Sequence, residues 1–370
     1  MKTRWIRKMV AVKVLLLTAL LLAATAAAQD QEAKLTYRSI REARIEGQAW
    51  ADTKDPFDRL PAKAEGIVRD AVWNLSRHSA GIAARFVTDA KQIDVRWTLK
   101  QEQLALPHMA ATGVSGIDLY VRDRGRWHWL ATARPTKFPV NEWSLVKEMT
   151  GGRHEYMMYL PLYNGVTSVE IGVSEGAAFE PGPARAAGVR PVLVYGTSIV
   201  HGGCATRPGM AYPAIVGRKL DWPMINLGFS GNGRSEPEVA KLFAELDPAV
   251  FVLDSLPNLS PELVAERVGP FVDTLRKARP ATPIVLVENV VYQNAEFIAS
   301  RRESYEGKNA ELRKIYGQRI AAGDENLYYI RAEELLGDDG EGTVDGTHPT
   351  DLGFLRMSEA VVRVVEPLLR

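Results

Sequence analysis

From about residue 30 to 187 the apolar positions recur every second residue. Ile93-Asp94-Val95-Arg96-Trp97-Thr98-Leu99 alternates strictly, with Ile93, Val95, Trp97 and Leu99 on one face. Ile117-Asp118-Leu119-Tyr120-Val121 does the same, and over Val166 to Val173 the pattern sets Thr167, Val169, Ile171 and Val173 together. Period-two alternation with one apolar face marks half-buried antiparallel strands. No run in this half keeps helical spacing for three turns. The pattern predicts an all-β sandwich over residues 29–187. Trp127 and Trp129 share one strand face; stacking on sugar rings is one reading, and the ordinary place for a sandwich tryptophan is the core.

A stretch rich in Pro, Gly and Ala, Glu180 to Gly188, breaks the pattern and reads as a boundary loop. Beyond it, short apolar runs appear at Pro191–Tyr195, Pro223–Leu227, Ala249–Leu253, Pro283–Val287 and Leu327–Ile330. Helical stretches separate them, at Ala211–Leu220, Glu238–Leu246, Pro261–Arg279, Ser304–Ala322 and Thr350–Leu369. Strands without polar alternation, interleaved with helices, predict one doubly wound α/β domain over 188–370. Its five-stranded parallel sheet is covered on both faces. In such sheets the chemistry collects at the carboxyl ends of the strands.

Composition changes this picture little: 46% hydrophobic and 25% charged residues are ordinary for a globular chain. Charge adds more. Residues 1–28 hold five basic side chains (Lys2, Arg4, Arg7, Lys8, Lys13), no acid, and an apolar stretch from Val14 to Ala28 that ends in three alanines. They read as a secretory signal peptide, and a largely apolar stretch of fifteen residues falls short of the ~20 that span a bilayer. Export, to the periplasm or beyond, with no stable membrane anchor after cleavage is the expectation. Removing the leader leaves 41 basic against 45 acidic side chains, a poor partner for nucleic acid. The single cysteine, Cys204, allows no internal disulfide.

Chemistry-bearing residues gather at the predicted strand ends. The first strand runs into Gly196-Thr197-Ser198-Ile199, the second into Gly228-Phe229-Ser230-Gly231-Asn232-Gly233, and the third into Leu256-Pro257-Asn258-Leu259. Before the last helix lies Asp345-Gly346-Thr347-His348, where an aspartate three residues ahead of a histidine can hold one imidazole nitrogen and leave the other free. Singly these are turns; together they form a constellation. His201 and Arg207 follow the serine closely enough to touch a substrate: His201 reads as lining the pocket or capping the helix rather than as the base, and for Arg207 a solvated surface position is the plainer reading. His78, His108, His128 and His154 show no metal-ligand spacing, so neither metal nor cofactor is expected.

These four segments, in this order, resemble the sequence blocks of the SGNH/GDSL hydrolases, and the preceding half is similar to the N-terminal module of a secreted branch of those enzymes. The resemblance implies a flavodoxin-like α/β fold and makes Ser198 the nucleophile, with His348 and Asp345 completing the catalytic set. It puts the N–H groups of Ser198 and Gly231 and the amide of Asn258 around an oxyanion. Two blocks depart from the family pattern: Thr197 replaces the usual aspartate in the first, and the third lacks its leading glycine and final aspartate. Three functions follow as alternatives: a secreted carbohydrate acetylesterase, an esterase for lipid or small acyl or aryl esters, and an inactive carbohydrate-binding protein. Acetylated polysaccharide is the expected partner of the first.

Overall fold

The computed structural model describes residues 34–150 and 152–369, so the expected leader lies outside the described residues. The first half is a sandwich of two antiparallel sheets. Strands β1 (Leu35–Ser39), β9 (Val166–Ser174), β4 (Ile93–Leu99) and β7 (Val140–Val146) form one, in that order. The other runs β10 (Phe179–Pro181), β3 (Ala83–Thr88), β8 (His154–Tyr159), β5 (Ile117–Asp123), β6 (Arg126–Ala133), with β2 (Arg44–Glu46) added on β3. Between them lies an apolar core that includes Ile93, Val95, Trp97, Phe86, Leu119, Tyr156 and Met158.

Two details depart from simple alternation. Thr167 is exposed while Val166 is fully buried, because the β4/β9 register shifts between Thr98 and Leu99 and the extra residue turns outward. In the second sheet both faces are covered. Tyr120, Met157 and Tyr159 on its outer side pack with Ala214 of the other half, which is why Ile117 to Tyr120 are buried without interruption. Trp127 and Trp129 also lie outside the sandwich core: Trp127 packs against this interface, and Trp129 is half exposed with Arg207 over its ring.

The second half is a five-stranded parallel sheet in the order β12 (Met224–Gly228), β11 (Val192–Gly196), β13 (Val250–Asp254), β14 (Ile284–Val287), β15 (Leu327–Ile330). This 2-1-3-4-5 order reverses direction beside β11, at the position where doubly wound sheets bind ligands. Helices α4 (Tyr212–Leu220) and α8 (Asp351–Val365) cover one face. Helices α5 (Pro237–Ala244), α6 (Pro261–Ala278) and α7 (Ala299–Ala321) cover the other.

The first half completes both layers. Leu60, Ala64, Val68, Val72 and Trp73, around the short helix α1 (Asp70–Ser76), join the cluster formed by Ile225, Leu227, Phe229 and Phe243. Ala80, Met109, Val114, Leu162 and Tyr163 join the opposite one. No helix of the described residues is long and apolar enough to cross a membrane.

Candidate active site

Ser198 is the first residue of α3 (Ser198–His201), a single turn at the carboxyl end of β11. Thr197, where the family pattern has aspartate, caps this turn by accepting the Ile199 N–H on its Oγ1 at 3.2 Å. The first N–H of a helix has no intrahelical partner, and that of Ser198 meets no acceptor among the described residues. The Ser198 side chain faces the loop before α8. Its Oγ lies 2.8 Å from His348 Nε2, and His348 Nδ1 lies 2.7 Å from Asp345 Oδ2. A carboxylate at Nδ1 fixes the proton there and leaves Nε2 to accept from the serine hydroxyl.

Asp345 is held as an acceptor. Its Oδ1 takes the N–H groups of His348 (2.8 Å) and Thr347 (3.0 Å). Burial alone would raise the carboxyl, but these donors and the imidazole outweigh it and hold Asp345 below the usual carboxylate range. Arg301 donates to Thr347 Oγ1 at 2.8 Å and braces the turn from α7.

The loop after β12 approaches from the other side. Gly231 has φ +69°, and its N–H has no protein acceptor among the described residues. Two residues on, a Cβ at position 233 would lie 2.0 Å from the Gly196 carbonyl oxygen, so only glycine lets this loop pass the end of β11. Asn258, on the turn Leu256–Asn258 after β13, ties the loop down. With Oδ1 toward the loop it accepts the N–H of Asn232 at 3.0 Å and of Gly233 at 3.2 Å. The opposite orientation would set its nitrogen against those donors and keep only a 3.4 Å contact to the Phe229 carbonyl. Its Nδ2 is therefore a donor that the loop does not consume. The Asp345–His348 turn thus meets Ser198, and Asn258 meets the loop that carries Gly231.

His201 and Arg207 do not serve as expected for substrate contacts. His201 is fully buried, its Nε2 donating to the Leu162 carbonyl at 2.7 Å, and desolvation beside Arg59 keeps it neutral. No substrate reaches it. Arg207 turns away to pair with the buried Asp118 at 2.7 Å and to donate to the Tyr120 hydroxyl. Cys204 stays a thiol, pushed up to about 12 by burial and the charge of Asp345. Among the described residues no three His, Cys, Asp or Glu side chains converge as metal ligands would.

Several residues of the first half brace the site, and periodicity gave no sign of them. The Tyr163 hydroxyl lies 3.4 Å from the Ser198 carbonyl and 3.2 Å from Ser230 Oγ, and its ring stacks on His201. Arg59, fully buried without a carboxylate, donates to the Gly228 carbonyl at 2.7 Å and the Leu75 carbonyl at 2.6 Å. Arg69 binds Asn232 Oδ1 at 2.9 Å and also pairs with Glu236. Asp118 accepts from Trp129, Thr132, Arg207 and the Gly209 N–H. Alternation along the strand put Asp118 on the polar face, whereas at zero exposure it is a buried carboxylate that needs these partners.

Residues 189–366 match the family described as GDSL-like lipase/acylhydrolase, and residues 35–179 match the N-terminal region of SGNH-hydrolase-type esterases. No curated protein matches the sequence. Among solved structures, one from Bacteroides ovatus assigned as a GDSL-like lipase is 35% identical. The match covers 91% of this chain and 98% of that one, with a TM-score of 0.86. The salicylyl-acyltransferase SsfX3 from a tetracycline biosynthetic pathway is 19% identical over 92% and 98% of the two chains, with a TM-score of 0.72. An acetyl xylan esterase (Est2A) from Butyrivibrio proteoclasticus shares the fold at 12% identity over 90% and 99%, with a TM-score of 0.56.

Proposed function

Because the chain belongs to the GDSL-like lipase/acylhydrolase family, we propose that it is a serine esterase that hydrolyses carboxylic esters through an acyl-enzyme. The observation that carries this reading is the unbroken relay Ser198 Oγ, His348 Nε2, His348 Nδ1, Asp345 Oδ2, with links of 2.8 and 2.7 Å. A hydroxyl becomes nucleophilic when a neighbouring base takes its proton. His348 accepts that proton as Ser198 Oγ bonds to the ester carbonyl carbon. Asp345, ionised, stabilises the imidazolium that results.

The carbonyl oxygen gains charge as the tetrahedral species forms. The free N–H groups of Ser198 and Gly231 and Asn258 Nδ2 are the donors that receive it. His348 then passes its proton to the departing alcohol as the C–O bond breaks. In the second half-reaction it deprotonates water, which attacks the acyl carbon, and Ser198 regains its proton as the acid leaves.

The proposed substrate is an acetylated carbohydrate. What supports this is the two-part architecture, which the chain shares with the acetyl xylan esterase and with a family two carbohydrate esterase from Clostridium thermocellum (13% identity, TM-score 0.57, 78% of this chain and 93% of that one). The basic, then apolar, leader supports export. The test is a panel of acyl esters of increasing chain length beside acetylated xylan. Acetyl esters of sugars are hydrolysed best, and Ser198→Ala lowers every rate by about 10³-fold or more. Full activity in Ser198→Ala removes the serine mechanism; preference for long acyl chains replaces the carbohydrate substrate with a lipid one.

A further inference from the structure

A second histidine stands beside the proposed base. His108 belongs to the first half, on the segment between β4 and the single helical turn α2 (Ala111–Val114). Its ring centroid is 5.9 Å from that of His348, the planes inclined by 38°. The residue is exposed, and among the described residues its ring makes no hydrogen bond to protein.

An exposed side chain is normally free to wander, but the backbone beneath this one is fixed. Leu106 and Met109 exchange reciprocal N–H to carbonyl bonds of 3.1 and 3.0 Å, closing a tight turn with His108 near its tip. Met109 is buried, in the same cluster as Tyr163 and Phe354. Past the turn, Thr112 Oγ1 donates to the Thr206 carbonyl at 2.6 Å. Gly113 lies so close to Ala205 that a Cβ there would come 2.2 Å from its carbonyl oxygen. Residues 202–206 in turn connect to the site. Gly203 N–H donates to the Ser198 carbonyl at 2.7 Å, and the Thr206 N–H donates to Asp351, the first residue of α8, at 3.0 Å. The turn that carries His108 is thus pinned to segments that flank both Ser198 and His348.

The reaction supplies the role. His348 must deliver its proton to the leaving oxygen, so the alcohol portion of the ester lies against His348, whereas the carbonyl oxygen points to Gly231 and Asn258. We propose that His108 is a specificity-determining residue, its free imidazole hydrogen-bonding a hydroxyl next to the ester oxygen and so selecting polyhydroxylated alcohols. This rests on the esterase reading above and adds the residue that recognises the sugar.

The experiment compares acetates that differ only in the alcohol: ethyl acetate and an aryl acetate against glycerol monoacetate and a monoacetylated methyl xyloside. For His108→Ala, kcat/KM on the two hydroxylated esters falls about tenfold, mostly through KM, which is the worth of one hydrogen bond. On ethyl and aryl acetate it changes by less than about twofold. His108→Asn, which keeps a donor and an acceptor, recovers part of the loss, and His108→Phe does not. Equal losses on all four esters, or a shifted pH profile on aryl acetate, would mean that His108 acts on His348 instead and overturn the assignment. A wild-type preference for hydroxylated esters that survives His108→Ala overturns it while leaving the carbohydrate reading intact. A wild-type enzyme indifferent to the hydroxyls overturns both.

Discussion

At the scale of single residues, Asn258 has two duties that one substitution confuses. Its Oδ1 holds the Asn232–Gly233 loop, and its Nδ2 is the proposed oxyanion donor. Asn258→Ala removes both, so kcat should drop by about 10²- to 10³-fold, or roughly 2.7–4 kcal/mol, with KM drifting as the loop loosens. Asn258→Asp keeps the acceptor, loses the donor and adds a negative charge beside the oxyanion: kcat falls at least as far, while the melting temperature stays near wild type. Near wild-type kcat in Asn258→Asp would take the side chain out of the mechanism. Asp254, at the end of β13, makes a different prediction. It is fully buried with Oδ1 unpartnered and Oδ2 accepting only from the Tyr212 hydroxyl at 3.0 Å, and desolvation raises its carboxyl to about 8. In the unfolded chain it ionises near 4. Folding is therefore unpenalised below that pH and loses stability as pH rises from about 4 to about 8. Asp254→Asn, which keeps the Tyr212 bond and cannot ionise, should melt higher than wild type at pH 8 and lose that advantage at pH 4. An offset equal at both pH values would show that the carboxyl is not the cause.

At the scale of elements, the strands and helices were legible because each buries one stripe or one whole segment, and period reports burial. All five parallel strands lie within a residue or so of the runs read from the sequence, and the catalytic loops follow from them. Thr167 was misplaced because a bulge breaks period without changing composition. The role of Asp118 stayed hidden because its partners Arg207 and Gly209 lie about 90 residues on, and spacing within a strand says nothing of contacts that distant. The same holds for Arg59, Arg69 and Tyr163. Strand β5 acts as a clamp: through Asp118 and Tyr120 it grips the loop that leads from α3 to α4. Removing one partner of a buried pair leaves the other charge uncompensated, so Asp118→Ala should cost about 3–5 kcal/mol in denaturant unfolding. A loss below about 1 kcal/mol, the worth of a surface pair, would mean that the clamp is ornamental.

At the scale of the molecule, the boundary near residue 188 separates two sequence patterns but does not divide the apolar packing cleanly: the sandwich core lies wholly before it, whereas Leu60, Val72, Trp73, Val114 and Leu162 sit in the layers over the parallel sheet. A fragment of residues 189–370 exposes those faces, and should aggregate or remain without cooperative unfolding when examined by gel filtration and calorimetry. A monomeric fragment with a sharp transition would show that the first half is a detachable module. The separation of 150 positions from Ser198 to His348 has a further consequence. At about 5–20 residues per second of synthesis, the proposed nucleophile emerges roughly 8 to 30 seconds before its proposed base. For that interval a growing chain holds a serine with nothing to take its proton. A chain that stops anywhere between the two lacks the proposed base, so the order in which the chain is written keeps the proposed ester-cleaving activity silent until residue 348 has been made.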